Sequence, residues 1–533
     1  MGARSFFAAL TALAFAVTGA TAQTTATAFA TTQGLEQDTR ITAILDDLRA
    51  AGRRGFIAII NARIVDPESA SLIEGQTILV RGERIVWTGP SALAPDFGGA
   101  FVIDAAGSFV APGIADMHVH TTRMGQHVLR LAAGVTTTRD MVGAPWMLRL
   151  RDAIAADRMI GSTDYVMGTI LADRPLYGYA IVVRTEAEAR AAVRQQAACG
   201  YGAIKIHNNL SLPLLNAIAD EADHVGLDLI GHVPHDTPIE HVVQSAGART
   251  LEHLKGFLND RNFLPSEEDF SVALRRADVW ITPTFYTRLD RAYGEEAAAR
   301  AADPRQRYAP RSHREYSIAN VPAPGSRDQF MYDRKESTIA NIMPRLLPLR
   351  PRWLVGTDAA GYPFNIAGFA AHDEMLMMRE EGIADADIVR AASFEAAAAL
   401  REEREFGAVR AGQRADLLLL AANPLQDVAA YAENRGVMAR GRWYDRAALD
   451  AALERLAAIY DEPPLSSFTQ RQASALAAAL ERETREGFVF DARAVREAAQ
   501  ELEAAGHTRA AQRLRAIAAI GVDGVCATEQ PEQ

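Results

Sequence analysis

Lysine is nearly absent from this chain of 533 residues. Only Lys205, Lys255 and Lys335 occur, and arginine supplies the other 53 of the 56 basic side chains. Acidic residues number 67, so the formal net charge is −11, and no basic surface of the kind that binds nucleic acid is indicated. We therefore expect no nucleic-acid partner. In a chain that otherwise uses arginine, each lysine is a candidate for a position that requires an amine.

Cysteine is equally scarce. The two cysteines, Cys199 and Cys526, lie far apart in the sequence and form no cluster with metal-ligand spacing. A cysteine-based metal site or nucleophile is therefore not indicated. A disulfide between the two stays open, because export would permit it, whereas the surroundings of Cys199 are typical of a helix end packed under a strand.

Long apolar runs are missing beyond the N-terminus, where no segment reaches the roughly 18 apolar residues of a membrane-spanning helix. The N-terminus carries Arg4, an apolar run over 6–17 and Ala20-Thr21-Ala22. This layout is typical of a cleaved secretory signal. We predict a signal peptide over 1–22 and a mature protein that is periplasmic or secreted, without a stable membrane anchor. An uncleaved anchor is the alternative.

The rest of the chain predicts a mixed α/β protein of several parts. Short β-branched strands separated by glycine turns occur on both flanks of a central region, which favours one β-sandwich built from both. An inserted segment in the centre is too long for a plain connection and is a candidate lid. The predicted parts are a linker and surface helix at 23–54, the sandwich at 55–112 and 407–445, the central domain at 113–406 with its insertion at 286–351, and a helical extension at 446–533.

In the central domain, apolar strands alternate with alanine-rich amphipathic helices. Eight such strand–helix units close most simply as a (β/α)8 TIM barrel, in which catalytic groups lie at the carboxyl ends of the strands. The predicted strands are 110–120, 133–142, 162–170, 201–207, 227–234, 248–256, 278–285 and 352–361.

Ionisable side chains do occur at the ends of these strands. His118 and His120 are two residues apart on the first strand, so their imidazoles point to the same face and can chelate a divalent metal ion. One histidine pair is weak evidence, but further members at other strand ends predict a metal centre. These members are Lys205 in the fourth strand and His232, His253 and Asp358 at the ends of the fifth, sixth and eighth strands.

This order of residues resembles the amidohydrolase superfamily, from about Phe56 to Tyr444. The local strings that carry the resemblance are APGIADMHVH, AGVTTTRD, IKI, GHVP, EHL, VGTDA and GAVRAGQRADLLLLAANPL. Within the superfamily, the chain is most similar to the secreted branch that contains imidazolonepropionase and Xaa-Pro dipeptidase-like enzymes.

The resemblance implies two divalent metal ions, expected to be zinc. One would be held by His118, His120 and Asp358, and the other by His232 and His253. Lys205 is implied to bridge them as a carbamate formed with carbon dioxide, which the permanently protonated guanidinium of arginine could not form. The alternative for Lys205 is a salt-bridged structural lysine.

The catalytic residues implied by the resemblance are Asp358 and Lys205. Asp358 would act as general base and then general acid for a metal-bridging hydroxide that attacks a carbonyl. Substrate contacts are predicted from position alone, for His207 two residues after Lys205, for Tyr177 after the third strand and for His235 after the fifth. An arginine of the insertion is a candidate for holding a substrate carboxylate.

We therefore predict an exported, metal-dependent amidohydrolase that hydrolyses an amide or other C–N bond of a small molecule, such as a dipeptide, an N-acyl amino acid or a cyclic amide. Two alternatives remain. The same site could hydrolyse a lactone or a phosphoester, or the chain could be a non-catalytic barrel scaffold. The sequence leaves open whether the protein is a homo-oligomer.

Overall fold

A computed structural model describes residues 30–141, 143–176, 180–254, 278–287, 294–359, 364–463, 467–485 and 491–520. The chain divides into two compact units. The described residues from 41 to 461 belong to the larger unit, and those at 30–40 and from 462 onward belong to the smaller one. The predicted signal peptide at 1–22 lies outside the described residues, among which no helix is long and apolar enough to cross a membrane.

The described residues contain the following elements. The strands are β1 Phe56–Asp66, β2 Ser71–Arg81, β3 Arg84–Pro90, β4 Phe101–Asp104, β5 Phe109–Pro112, β6 Ile114–Val119, β7 Val135–Asp140, β8 Thr163–Val166, β9 Ile170–Ala172, β10 Ala180–Val182, β11 Ala203–Ile206, β12 Asp228–Gly231, β13 Ala248–Glu252, β14 Trp280–Thr282, β15 Arg352–Trp353, β16 Leu417–Leu420, β17 Asn434–Ala439 and β18 Arg442–Asp445. The α-helices are α1 Ala30–Ala51, α2 Gly125–Ala133, α3 Pro145–Ala155, α4 Glu186–Cys199, α5 Leu212–Val225, α6 Gly294–Ala302, α7 Arg311–Ala319, α8 Arg327–Leu346, α9 Phe369–Glu380, α10 Asp385–Ala391, α11 Phe394–Ala399, α12 Arg446–Tyr460, α13 Gln470–Arg485, α14 Ala492–Ala504 and α15 Thr508–Ile520.

One eight-stranded sheet combines strands from both flanks of the larger unit. Its order is β18-β17-β16-β5-β1-β2-β3, with β4 also paired to β1. Strand β5 is parallel to β1 and antiparallel to β16, so it joins the N-terminal strands to the C-terminal ones. Apolar side chains from both flanks, among them Ile57, Leu417 and Trp443, bury one another in a common core.

The eight strands predicted for the central domain correspond to β6, β7, β8, β11, β12, β13, β14 and β15. Strands β6, β7 and β8 form one parallel sheet, and β9 and β11–β15 form another, to which β10 adds at the edge of β9. Strands β9 and β10 were not predicted, and they lie in the connection between β8 and α4. Helices follow most of these strands, as expected of parallel βα units.

Backbone hydrogen bonds join the two parallel sheets at both margins. At one margin, Gly168 N donates to Ala203 O over 2.8 Å. At the other, Met117 N donates to Val355 O over 2.8 Å, and Val119 forms a parallel bridge with Ala359. Because parallel strands present their carboxyl ends at one edge, the ionisable residues at those ends meet on the same side.

The inserted segment at 286–351 is helical where described, with α6, α7 and α8 inside it. Its role as a lid stays a prediction. Cys199, the last residue of α4, is disulfide-bonded, and Cys526 lies outside the described residues.

The smaller unit has its own apolar core. Helices α13, α14 and α15 bury Leu480, Leu502 and Leu514 together, at the helical spacing predicted from the sequence. The predicted extension began at 446, but α12 belongs to the larger unit and packs against α2. The physical reason is the apolar face of α12, whose buried residues are Leu449, Ala452, Leu453, Leu456, Ala457, Ile459 and Tyr460.

Gly231 gives a test of the close strand packing under the site. Its φ is +125°, and a Cβ at this position would clash with the carbonyl oxygen of Ile206. Gly226 also has a positive φ, of +74°, but a Cβ there would meet nothing within 4 Å. We expect Gly226→Ala to cost about 1–2 kcal/mol of unfolding free energy through backbone strain alone. We expect Gly231→Ala to cost about 1–3 kcal/mol more, because of the added clash.

Urea unfolding of the two variants beside wild type measures the difference. Equal losses in both variants would contradict the packing of β12 against β11.

Candidate functional site

The first strand of the site is β6, which is buried along its whole length. His118 lies in the strand and His120 directly follows it, and their ring centroids are 5.3 Å apart. His118 is fully buried, whereas the His120 side chain keeps 20% of its surface exposed. The pair is therefore reached from the carboxyl end of the strand.

Asp358 lies in the turn after β15 and pairs with the end of β6. Its backbone N donates to His118 O over 2.7 Å. Its Oδ1 is 2.7 Å from His120 Nε2 and 3.4 Å from His118 Nε2. The φ of Asp358 is +56°, a left-handed conformation that residues other than glycine adopt uncommonly. The turn thus aims one carboxylate at both imidazoles.

Three further histidines continue the cluster. The ring centroid of His253 lies 4.6 Å from that of His118 and 4.7 Å from that of His232, and the His207 ring lies 4.2 Å from that of His232. Side-chain oxygens hold two of these rings. His232 Nδ1 is 2.8 Å from Asn208 Oδ1, and His253 Nδ1 is 2.7 Å from Thr284 Oγ1.

Lys205 lies on β11 and is 2% exposed. Its Nζ donates to the carbonyl oxygen of Met141 over 3.0 Å. Burial lowers the pKa of the Lys205 amine to about 8, although the carboxylates of Asp358 and Glu252 oppose this shift. The amine is therefore easier to deprotonate than an exposed lysine.

Two buried residues of the site were not predicted from the sequence. Glu252 Oε2 is 2.8 Å from His118 Nδ1, and Arg139 Nη2 donates to Glu252 Oε1 over 2.7 Å. Glu252 was missed because successive side chains of a strand point to opposite faces. With His253 predicted to face the site, Glu252 was expected to face away from it. His253 has a φ of +62°, which ends the alternation and lets both side chains reach the site. The sequence Leu251-Glu252-His253 did not indicate that the strand would end in this conformation.

Electrostatics keeps the site in the protonation states that suit a cation. Burial lowers the pKa of His118 to about 4, so its imidazole is neutral at pH 7. Burial alone would raise the pKa of Asp358, but the positive charge that His118, His253 and His120 carry when protonated outweighs burial and holds that pKa well below its usual range. A neutral imidazole beside an ionised carboxylate is the donor set of a divalent metal site.

The residues fit a metal ion on geometric grounds as well. His118, His253 and Asp358 each offer a ligand atom, and these atoms lie within 4.8 Å of one another. Within the described chain, the buried His118 Nε2 has no hydrogen-bond partner. Nitrogen and oxygen ligands of this kind suit zinc and similar divalent ions.

The predicted substrate contacts have mixed positions. His207 is 6% exposed and lies beside His232, next to the cluster. His235 is exposed, and its backbone N donates to Asn208 O over 3.1 Å. Tyr177 lies outside the described residues. In the insertion, Arg305 is bound to Asp303 and Asp373, and other arginines form similar ion pairs at the surface.

A family model matches most of the chain. Residues 109–444 match the profile of the Amidohydrolase family, which is more than half of the sequence. Imidazolonepropionase from Acidiphilium cryptum is 38% identical over 80 residues, which are 14% of this chain and 20% of that enzyme. The chain thus matches about a fifth of the length of this curated relative.

Two solved structures have a similar fold. Bottromycin amidohydrolase aligns with a TM-score of 0.65 at 22% identity, over 79% of this chain and 94% of that one. A Xaa-Pro dipeptidase with methionine bound in its active site aligns with a TM-score of 0.56 at 20% identity, over 73% of this chain and 100% of that one. At these identities the likeness concerns the fold alone.

Asp116 gives a pH-dependent test of the turn that carries Asp358. Asp116 Oδ2 accepts from Thr357 Oγ1 over 2.8 Å, and Oδ1 accepts from Thr357 N over 3.1 Å. Burial raises the pKa of Asp116 from 3.8 to about 6, although the hydrogen bonds from Thr357 oppose it. A raised pKa favours folding below pH 4, and this contribution, of about 3 kcal/mol, is lost as the pH rises to 6 and beyond.

Urea unfolding of the metal-free protein between pH 4 and 7 tests this. Wild type should lose stability over that range relative to Asp116→Asn, whose side chain cannot ionise. Parallel pH profiles for the two proteins would contradict the raised pKa.

Proposed function

The chain belongs to the amidohydrolase family, and from this premise we propose that it is an exported, metal-dependent hydrolase of amide or other C–N bonds. The observation that carries the proposal is the convergence of His118, His120, His253 and Asp358 from three separate parts of the chain on one buried point. A structural core has no physical need for such a set of ligands.

The proposal includes the barrel. We propose that the eight parallel strands close into a (β/α)8 barrel and that the sheet from both flanks forms the adjoining β-sandwich. Hydrogen bonds at both margins of the parallel sheets support closure. The alignments with bottromycin amidohydrolase and with the Xaa-Pro dipeptidase support it further. In such a barrel the carboxyl ends of the strands form the active-site face.

The residues would hold two divalent ions, with zinc the expected metal. His118, His120 and Asp358 would hold one ion, and His232 and His253 the other. When bound, the ions would acidify a water molecule and polarise the substrate carbonyl. The neutral state of His118 supports this assignment, because a metal ligand must offer a lone pair.

Lys205 would join the two halves of this site. Its buried amine, of lowered pKa, can attack the carbon of carbon dioxide and release a proton, which yields a carbamate. The carbamate supplies two oxygens where the amine supplied none. The use of lysine here, in a chain with three lysines, supports a requirement for an amine.

Asp358 is the proposed proton carrier. Its Oδ1 lies within 2.7 Å of His120 Nε2, and the backbone hydrogen bond to His118 O fixes the turn that carries it. It would accept a proton from the attacking water and then deliver it to the leaving nitrogen. The low pKa of its carboxyl group keeps it ionised.

The substrate would be a small molecule with a hydrolysable C–N bond, such as a dipeptide, an N-acyl amino acid or a cyclic amide. The names of the relatives, an imidazolonepropionase and a Xaa-Pro dipeptidase, support this range. His207, beside His232, is the best-positioned candidate for a substrate contact. Export to the periplasm or beyond rests on the signal peptide predicted at 1–22, and a lid role for 286–351 rests on its length.

Metal content tests the two-metal site. We expect about two zinc ions per chain in the purified wild-type protein with bicarbonate present. Lys205→Ala should lose much of this metal, because the bridging carbamate cannot form, whereas Lys335→Ala serves as a control that keeps it. One ion in both wild type and Lys205→Ala would contradict the carbamate, and no metal in wild type would favour the scaffold alternative.

Activity on a panel of amides, lactones and phosphoesters tests which class of bond the protein hydrolyses. We expect hydrolysis of one or more amides, and Asp358→Asn should lower kcat by about 10²–10⁴-fold through loss of proton transfer. Zinc content measured on the same preparation separates this loss from loss of metal. Turnover of lactones or phosphoesters without amides would replace the C–N assignment.

A further inference from the structure

Glu252 is a fully buried carboxylate that receives three hydrogen-bond donors. Oε2 lies 2.8 Å from His118 Nδ1. Oε1 accepts from Arg139 Nη2 and from Thr250 Oγ1, each over 2.7 Å. None of its contacts is to solvent, since both Glu252 and His118 are 0% exposed.

Arg139 fixes this carboxylate from the opposite side. Its Nε donates to Met117 O over 2.6 Å, and its Nη1 donates to Thr250 Oγ1 over 2.9 Å. The guanidinium therefore bonds to β6 and β13 at once, although it belongs to β7. Glu252 can shift toward or away from His118 only if this whole set of bonds shifts with it.

The arrangement selects one tautomer of His118. An ionised carboxylate accepts hydrogen bonds and donates none, so the proton of the neutral ring must be on Nδ1. The lone pair is then on Nε2, the atom that faces Asp358 at 3.4 Å. Nε2 is the His118 atom required for a metal ligand.

A buried ion pair is a costly way to fill space. Apolar side chains of similar volume stabilise a core at least as well, so the retention of Glu252 and Arg139 has to be explained by what they orient. We propose that Glu252, held by Arg139, is a positioning residue that sets the tautomer and ring orientation of His118 and thereby the affinity of the site for its metal ion. This inference rests on the proposed function, because it takes His118 as a ligand.

Glu252→Gln is the informative variant. The amide oxygen can accept from Arg139 and Thr250, but then the amide NH2 faces His118 Nδ1 and forces the proton onto Nε2. The opposite amide orientation sets NH2 against the donors of Arg139. We therefore expect the affinity for zinc to fall by about 10–100-fold.

Glu395→Gln is the matched control. Glu395 is also a buried carboxylate with three donors, from Trp280 Nε1, Arg352 Nε and Arg390 Nε, at 2.7–2.8 Å. Trp280 and Arg352 begin β14 and β15, at the ends of the strands away from His253 and Asp358. This variant should lose stability in the same way but keep its zinc affinity within about twofold.

The measurement is the Kd for zinc alone, by competition with a chromogenic chelator, on the full-length chain, with urea unfolding as the check on folding. Weaker binding in Glu252→Gln but not in Glu395→Gln supports the proposal. Equal affinity in Glu252→Gln and wild type overturns it while leaving the metal site intact. Absence of zinc binding in wild type overturns both the proposed function and this inference.

Should Glu252→Gln fail to fold, Glu252→Asp is compared with Glu395→Asp. The shorter carboxylate keeps its charge toward Arg139 but draws back from His118. Weaker zinc binding in Glu252→Asp alone supports the proposal, and unchanged binding in both overturns it.

Discussion

Backbone pairing between β6 and residues 355–359 determines where the ionisable groups meet. Met117 N donates to Val355 O, Asp358 N to His118 O, and His120 N to Ala359 O, at 2.6–2.8 Å. These bonds join parts of the chain more than 200 residues apart in sequence. Without them, His118 Nε2 and His120 would lose the carboxylate of Asp358. The position of the site is therefore determined first by which strands pair, and only then by the chemistry of the side chains.

The same region concentrates backbone strain. His253, Thr284 and Asp358 all have φ values between +48° and +62°, a range that residues other than glycine adopt rarely. Each of these residues contacts another member of the cluster, since Thr284 Oγ1 bonds to His253 and His253 lies 3.9 Å from Asp358. Strain of about 1–3 kcal/mol per residue persists only where surrounding contacts hold it. Regular strands alone would not have brought these side chains inward.

The sequence allowed the strands of the centre to be predicted, together with the residues at their ends, because parallel strands are short apolar runs and polar residues at their ends stand out. It did not reveal Glu252 and Arg139, since a charged residue inside a strand carries no mark of facing inward. Because His253 was predicted to face the site, strand alternation predicted that Glu252 faces away from it. Within the predicted helical extension, α12 has the same period as the helices after it, and only its contacts, such as those with α2, assign it to the larger unit.

The sheet built from both flanks has a consequence for the order of events during synthesis. Strand β5 needs β16 as its neighbour, but β16 is translated about 300 residues later, which takes roughly 15–60 s at bacterial and eukaryotic elongation rates. During that time the nascent chain carries an open strand edge that other chains can pair with. A ribosome stalled before residue 417 would therefore hold an aggregation-prone intermediate, and chaperone protection of that edge would govern the yield of folded protein.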